Sequence, residues 1–192
     1  MTKYSIFKTK WGYFGIAGNE AGLVKTCLPT TLKNVKLLLL KDLENAKYDK
    51  SHFGEIERLV TAYFEGCYVN FGEEIAVEPD GFTDFGKAVL SACRAVSFGD
   101  KISYGELAGR IGRPNAARAV GQVLAKNPLP LIIPCHRIVC GNGSPGGFSA
   151  IGGVAFKKKM LELEKDAMVR HFDKLSAGYA ALAQGTGRLT IE

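Results

Sequence analysis

Apolar residues fall into two rhythms along this chain of 192 residues, and the switches between them mark its elements. In YSIFKTKWGYFGIAG and AGLVKTCLP, aromatic and β-branched residues lie between Gly and Pro breaks, which predicts a hairpin or meander. NVKLLLLKDLENA and GEIERLVTAYFEG take up helical spacing, and in the second Ile56, Leu59, Val60 and Tyr63 share one face. CYVNFGEEIAVEPDG reads as a strand leaving through a turn. The turn-forming cluster Glu78-Pro79-Asp80-Gly81 sets a boundary near residue 79.

Beyond that boundary the pattern is helical with one short extended segment. Thr83 is placed to cap DFGKAVLSACRAVSFG, where Phe85, Val89, Ala92 and Val96 form an apolar stripe. Ser103 is placed to cap YGELAGRIG, with Glu106 three positions on, as a capping box requires. The turn Arg113-Pro114-Asn115 leads into AARAVGQVLAKN, and two short helices joined by a Gly/Pro turn predict a helix-turn-helix. In its second helix Ala116, Ala117, Ala119 and Gly121 leave little bulk around Arg118. That suits either tight core packing or close approach to a surface with one projecting Arg. The tail from Asp166 has the pattern of a further helix, without a readable role.

Composition narrows the class. With 46% hydrophobic residues the chain can bury a real core, as one domain or two small ones. No apolar run is long enough to span a bilayer, and MTKYSIFKTKWGYFG lacks the features of a signal peptide, so no membrane association is expected. The cysteines are Cys27, Cys67, Cys93, Cys135 and Cys140; an odd count without paired spacing predicts free thiols in a reducing cytoplasm. Neither CxxC nor a local Cys/His cluster with zinc-ligand spacing is present, so no metal is expected. Net charge is +6, and its distribution matters more than its size. Residues 1–79 carry ten basic and ten acidic side chains, residues 166–192 three of each, and residues 80–165 twelve basic and six acidic. The whole excess lies in the segment that holds the helix-turn-helix, which makes a polyanion such as DNA or RNA the favoured partner.

Within that segment, LIIPCHRIVCGNGSPGGFSAIGG sets Cys135 beside His136, between an apolar strand-like run and a glycine-rich loop. A thiolate is the reactive form of Cys, and an adjacent imidazole favours it by taking the proton. In a regular strand the two side chains would point to opposite faces, so the backbone must bend if they cooperate. Pro134 holds Ile133 extended and is the expected end of the strand. The pair alone fits a Cys-His hydrolase or acyltransferase, and the helix-turn-helix alone fits a noncatalytic DNA-binding regulator.

Taken in order, FTDFGKAVLSACRAVSFGDKISYGELA, RAVGQVLAKNPLPLIIPCHRIV, GGFS and the helix ending MLELE resemble the O6-alkylguanine-DNA alkyltransferases, also called methylated-DNA–protein-cysteine methyltransferases. The resemblance covers most of residues 80–165. It implies an α+β fold: a small N-terminal α/β domain with an antiparallel sheet over 1–79, then a mainly helical DNA-binding domain with the helix-turn-helix and an active-site cysteine over 80–165. Residues 166–192 follow as a C-terminal tail of unknown role.

The resemblance also implies roles. Cys135 accepts the alkyl group; His136 takes its proton through a water, and Glu164 orients His136. Asn127 holds the active-site backbone, and Tyr104 donates to the guanine ring. Arg118 fills the gap left by the extruded base, with Ala117 beside it against the duplex. Pro130, Ile138, Phe148 and Ser149 line the base pocket. The implied partner is double-stranded DNA containing O6-alkylguanine, approached from the minor groove by a monomer, with O4-alkylthymine a further candidate substrate and no cofactor. The chemistry is consistent with this: a buried O6-alkyl carbon is reached only by flipping the nucleotide, and its displacement needs a soft nucleophile and donors to the departing oxygen.

Three positions depart from the family pattern. Gly86 stands where Gln is frequent, Phe148 where some members have Tyr, and the FSAIGG segment is two residues longer than GFSGG-like versions. The longer loop leaves Glu162 as a competing partner for His136, although two positions on a helix point in different directions. If Glu164 stabilises an imidazolium at His136, Cys135 is expected to ionise below the ordinary thiol range, near neutral pH.

Overall fold

The computed structural model describes residues 1–43 and 45–183. The chain opens with three strands, β1 (Lys3–Thr9), β2 (Gly12–Asn19) and β3 (Gly22–Thr30), paired antiparallel as a meander. Helix α1 (Leu32–Leu40) follows, and the two-residue β4 (Lys47–Tyr48) adds to β1 in parallel, giving the order β3-β2-β1-β4. Helix α2 (Gly54–Glu65) completes this part.

Alternation along β2 assigns the two sheet faces. Ala17 turns toward Val35 and Leu39 of α1, whereas Phe14 and Ile16 turn into the main core. Gly15 allows α1 to approach: a Cβ there would lie 2.7 Å from the Val35 side chain. On the other face Phe14 packs against Phe64 of α2. The main core then continues without interruption through Val89, Leu107, Val120 and Ile133 to Met160 and Ala167.

Residues 67–79 correct one expectation, because they form no strand. The segment buries Val69, Phe71 and Ile75, and it pairs with β3 only through one parallel bridge, Leu23 with Val77. Leu23 N donates to Ala76 O (2.8 Å), Glu78 N donates to Leu23 O (2.8 Å), and the Arg94 guanidinium donates to the carbonyls of Gly72 (2.6 Å) and Ile75 (2.5 Å). An arginine fork thus satisfies carbonyls that a neighbouring strand would otherwise have to reach.

The helical part begins with α3 (Asp84–Arg94), where the Thr83 hydroxyl accepts from Gly86 N at 3.2 Å. A side chain at Gly86 would put its Cβ 2.9 Å from the Phe82 ring, so the Gln frequent at this position would require Phe82 to move. Helix α4 (Tyr104–Arg110) carries the complete Ser103–Glu106 capping box, and α5 (Ala117–Leu124) packs on α3 and α4. Two short strands, β5 (Ile102–Ser103) and β6 (Ile138–Val139), pair in parallel beside them.

The apolar run 129–133 is also not a strand. It is a buried turn in which Ile133 N donates to Leu129 O at 2.8 Å and Leu131 adopts a positive φ of 82°. Helix α6 (Gly153–Ala183) runs through residue 166 without a break, with Ala167 in the core. The expected tail therefore begins inside a helix, and its last residues, 184–192, lie outside the described residues.

The Thr83 cap gives a direct test of this local account. Thr83→Ala should lower stability by about 1 kcal/mol, measured by urea unfolding, because it leaves Gly86 N without its acceptor.

Candidate active site

The site is built on the turn that follows α5. Asn127 ties both ends of that turn: its Oδ1 accepts from Leu129 N (3.0 Å) and its Nδ2 donates to Ile133 O (2.8 Å). From the sheet, Thr26 N donates to Pro128 O (2.8 Å) and the Thr26 hydroxyl donates to Pro130 O (2.8 Å). The chain then enters a single 3₁₀ turn, Cys135–Arg137, with Arg137 N donating to Pro134 O at 2.9 Å. At three residues per turn, consecutive side chains fan out about 120° apart. Cys135, His136 and Arg137 therefore leave the backbone in three directions, and all three are buried.

His136 points to α6. Its Nε2 lies 2.7 Å from Glu164 Oε1, which makes Nε2–H the donor and leaves Nδ1 as the basic nitrogen. Nδ1 is buried and has no protein hydrogen-bond partner among the described residues. Glu164 is 1% exposed, whereas Glu162 faces solvent. Arg137, for which the sequence suggested no role, donates Nε to Glu164 Oε2 (3.0 Å), Nη2 to Oε1 (3.0 Å) and Nη1 to Val96 O (2.6 Å). Gly99 N donates to Oε2 (3.1 Å) and the Tyr63 hydroxyl to Oε1 (2.9 Å). A second buried charge was also missed: Lys157, wholly buried on α6, donates to Ile138 O at 2.5 Å with its ammonium 5.7 Å from the Tyr104 ring centroid.

Cys135 opens on the other side into a cavity of about 710 Å³. Tyr104, Ala117, Arg118, Phe148 and Ser149 line this cavity with it, and Cys140 sits in its wall. Gly121 faces the Tyr104 ring, where a Cβ would lie 3.8 Å from it, so α5 presents a low surface there, with Arg118 exposed. Pro130, Phe148 and Ser149 line a second recess of about 260 Å³ that also touches Cys135. Ile138 is the exception. It lines neither space, because β6 directs its side chain into the core and only its carbonyl serves the site.

The electrostatics differ from the expected thiolate at neutral pH. Burial pushes the Cys135 thiol up, against a hydrogen bond from Asn127 and the positive charge of Lys157, which act in the opposite direction. Burial also lowers His136; Glu164 pulls it upward, while Arg137 and Lys157 oppose that pull. Burial, the largest influence on each, thus favours the neutral thiol and the neutral imidazole, with Arg137 a lesser contributor at His136. For Glu164 itself burial acts upward, but His136 and Arg137 outweigh it and hold the carboxyl at about 2.

A buried thiol beside a base-sized cavity, backed by a His–Glu–Arg cluster and flanked by a helix-turn-helix, defines a class: a cysteine-dependent enzyme acting on a nucleic acid. Residues 84–166 match the family described as "6-O-methylguanine DNA methyltransferase, DNA binding domain". A methylated-DNA–protein-cysteine methyltransferase of Methanosarcina acetivorans is 36% identical over 163 residues, covering 84% of this chain and 97% of the relative. Another, from Mycobacterium bovis, is 40% identical over 112 residues, covering 58% and 64%. The crystal structure of Mycobacterium tuberculosis O6-methylguanine methyltransferase superposes with a TM-score of 0.72 at 32% identity, covering 87% of this chain and 94% of that one. Mycobacterium tuberculosis OGT in complex with DNA gives a TM-score of 0.71 at 31% identity, covering 86% and 94%. The chain belongs to the methylated-DNA–protein-cysteine methyltransferase family, the DNA-repair enzymes that move an alkyl group from DNA to a cysteine of the protein.

The buried carboxylate should dominate stability at this site. Glu164→Gln leaves the Arg137 cation without its partner and should lower stability by about 3–5 kcal/mol, whereas exposed Glu162→Gln should change it by less than about 0.5 kcal/mol. Because the folded carboxyl lies at about 2, below the ordinary value of ~4.3, its contribution is complete above ~4.3 and is lost as pH falls toward 2. Urea unfolding of the three proteins over that interval checks both statements, and the Glu164→Gln curve should lose the acid-dependent component.

Proposed function

We propose that this protein repairs O6-alkylguanine in duplex DNA by transferring the alkyl group to Cys135, once per molecule. The carrying observation is that Cys135 alone among the five cysteines both opens on the base-sized cavity and adjoins His136. A volume of about 710 Å³ falls within the usual range for ligand sites and exceeds one purine. The Cys135 proton passes to His136 Nδ1, directly or through a water, and Glu164 faces the imidazolium formed. The sulfur attacks the alkyl carbon in line; the S–C bond forms as the C–O6 bond breaks, and the electron pair passes to the guanine. Tyr104 stands at the cavity wall with an O–H to donate to the purine as that charge develops. Burial and the neighbouring thiols raise its phenol, so it keeps its proton for this purpose. Asn127 holds the turn, and Pro130, Phe148 and Ser149 face the bound base. Ile138 supports the site from the core.

The target carbon lies inside the duplex, so the nucleotide must be extruded. Helix α5 suits that task, since Ala117 and Gly121 permit close approach and Arg118 projects beside the cavity to take the place of the base. Entry through the minor groove fits such a low helix with a single wedge. On this reading residues 1–79 support the turn through Thr26, residues 80–165 carry DNA binding and transfer, and residues 166–192 remain a tail of unassigned role. The protein acts as a monomer in the cytoplasm: the site is completed within one chain, and all five thiols are free, as a reducing compartment keeps them. No helix among the described residues is long and apolar enough to cross a membrane. The same displacement extends to O4-alkylthymine, which competition with the guanine lesion would reveal.

Mixing the protein with duplex DNA containing O6-methylguanine should add one methyl group, on the peptide holding Cys135 and not on Cys140, as read by intact and peptide mass spectrometry. Cys135→Ala should gain none and still bind DNA; repeated turnover at limiting protein would falsify single-use transfer. Arg118→Ala should slow repair in the duplex much more than reaction with free O6-benzylguanine, because only the duplex requires a base to be displaced. Equal slowing of the two reactions would remove the extrusion role.

A further inference from the structure

Glu164 receives hydrogen bonds from four residues in three places in the fold. His136 and Arg137 come from the 3₁₀ turn, Gly99 from the loop after α3, and Tyr63 from α2 in the N-terminal part. The first three belong to the segment that carries the transfer site, and Tyr63 does not. Its hydroxyl donates to Glu164 Oε1 at 2.9 Å, the same oxygen that His136 Nε2 reaches at 2.7 Å, and it lies 3.4 Å from Nε2 itself. Tyr63 is wholly buried, with its ring set edge-on to Phe64, Phe98 and the His136 imidazole. Burial and the Glu164 charge hold its phenol well above the ordinary range, so it stays an O–H donor.

Tyr63 is not needed to keep the carboxylate in place. Oε2 is held by Arg137 Nε and Gly99 N, and Oε1 by Arg137 Nη2. What the hydroxyl changes is the share of Oε1 left for the His136 proton. We propose that Tyr63 is a positioning residue of the transfer reaction: its hydroxyl competes with His136 for Glu164 Oε1 and so limits how strongly His136 draws the proton from Cys135. This rests on the Cys135–His136–Glu164 assignment above. The proton moves from sulfur to Nδ1; Nε2–H stays on Glu164, and Tyr63 keeps its own proton throughout. The effect is to hold the buried thiol neutral until a base is bound, which keeps an unguarded thiolate from reacting with other electrophiles. The charged and titratable groups around His136 are Glu164 and Lys157 of α6, Cys135 and Arg137 of the turn, and Tyr63 of α2. Among them, Tyr63→Phe alters no charge and leaves the reacting thiol in place.

The test is the single-turnover rate of methyl transfer from O6-methylguanine duplex, followed against pH. Tyr63→Phe keeps the ring and removes the competing donor, so the rising limb should move to lower pH by about 1–2 units, the scale of one hydrogen bond to a charged group. Site-specific 3-fluorotyrosine at position 63 is a stronger donor and should move the limb to higher pH. Opposite displacements support the proposal, since a purely structural role predicts no such pair. Unmoved limbs in both proteins, even with a lower plateau, overturn it. If Tyr63→Phe does not fold, the fluorotyrosine protein decides alone, and a limb that stays in place overturns the proposal. If the unsubstituted protein gains no methyl on Cys135, the site assignment fails and takes this proposal with it, which is a distinguishable result.

Discussion

One buried carboxylate organises the molecule. Glu164 sits 1% exposed in a core otherwise made of aromatic and aliphatic side chains, and a lone charge there would cost several kcal/mol. It persists because Arg137 grips both oxygens, while Gly99 N, His136 and Tyr63 occupy the remaining lone pairs. Those donors come from three separate stretches of chain, and the acceptor from a fourth. Satisfying one anion therefore fixes where the 3₁₀ turn, the end of α3, helix α2 and helix α6 stand relative to each other. The reactive thiol owes its position to that requirement, since Cys135 is the first residue of the turn that Arg137 and His136 anchor.

Burial dominates the resting charge state, and the same grip adds to it at His136. Glu164 pulls His136 upward, while Arg137 and Lys157 oppose that pull and burial, the largest influence, works against the proton. With Arg137 on the carboxylate and Lys157 nearby, two cations already outnumber the one buried carboxylate. A thiolate–imidazolium pair then has to form within a buried site, against desolvation. The Asn127 hydrogen bond and the Lys157 charge both favour the thiolate, and Lys157 at the same time opposes a charge on His136. Nucleophile formation is in this way an event of the reaction rather than a property of the free protein.

Local rules made much of this legible. The Thr83 cap, the Ser103–Glu106 box and the two helices around Arg113-Pro114 follow from side chains a few residues apart, where one hydrogen bond or one turn decides the outcome. The sheet meander was readable for the same reason. Two segments were misread, 67–79 and 129–133, and both are apolar runs whose main-chain partners come from elsewhere. Arg94 satisfies the first, while Asn127 and an internal Leu129–Ile133 bond close the second. Alternating apolar residues favour burial, but they make a strand only where a neighbour continues the pairing, and β3 meets the first segment at Val77 alone. Nor did proximity in sequence announce Tyr63 or Lys157. Their roles depend on helices α2 and α6 meeting the turn, which no local pattern encodes.

The choice between Glu162 and Glu164 was in fact encoded, in a period that spans more than one turn. Lys157, Met160, Glu164 and Ala167 are all at most 2% exposed, and their spacing of three, four and three residues is that of a single helical stripe. Two ionisable side chains, seven residues apart on a stripe that also carries Met and Ala, face inward together, and Glu162 lies off it. This explains why the longer FSAIGG segment does not disturb the site. Residues 150–153 precede the stripe, and the positive φ of Gly152 (92°) and Gly153 (53°) takes up the path into α6 before Lys157 is reached. Lys157 on the Ile138 carbonyl and Glu164 on Arg137 then clamp the helix at two points, two turns apart. Register at the active site is therefore set by the buried charges themselves and not by the length of the loop that leads to them.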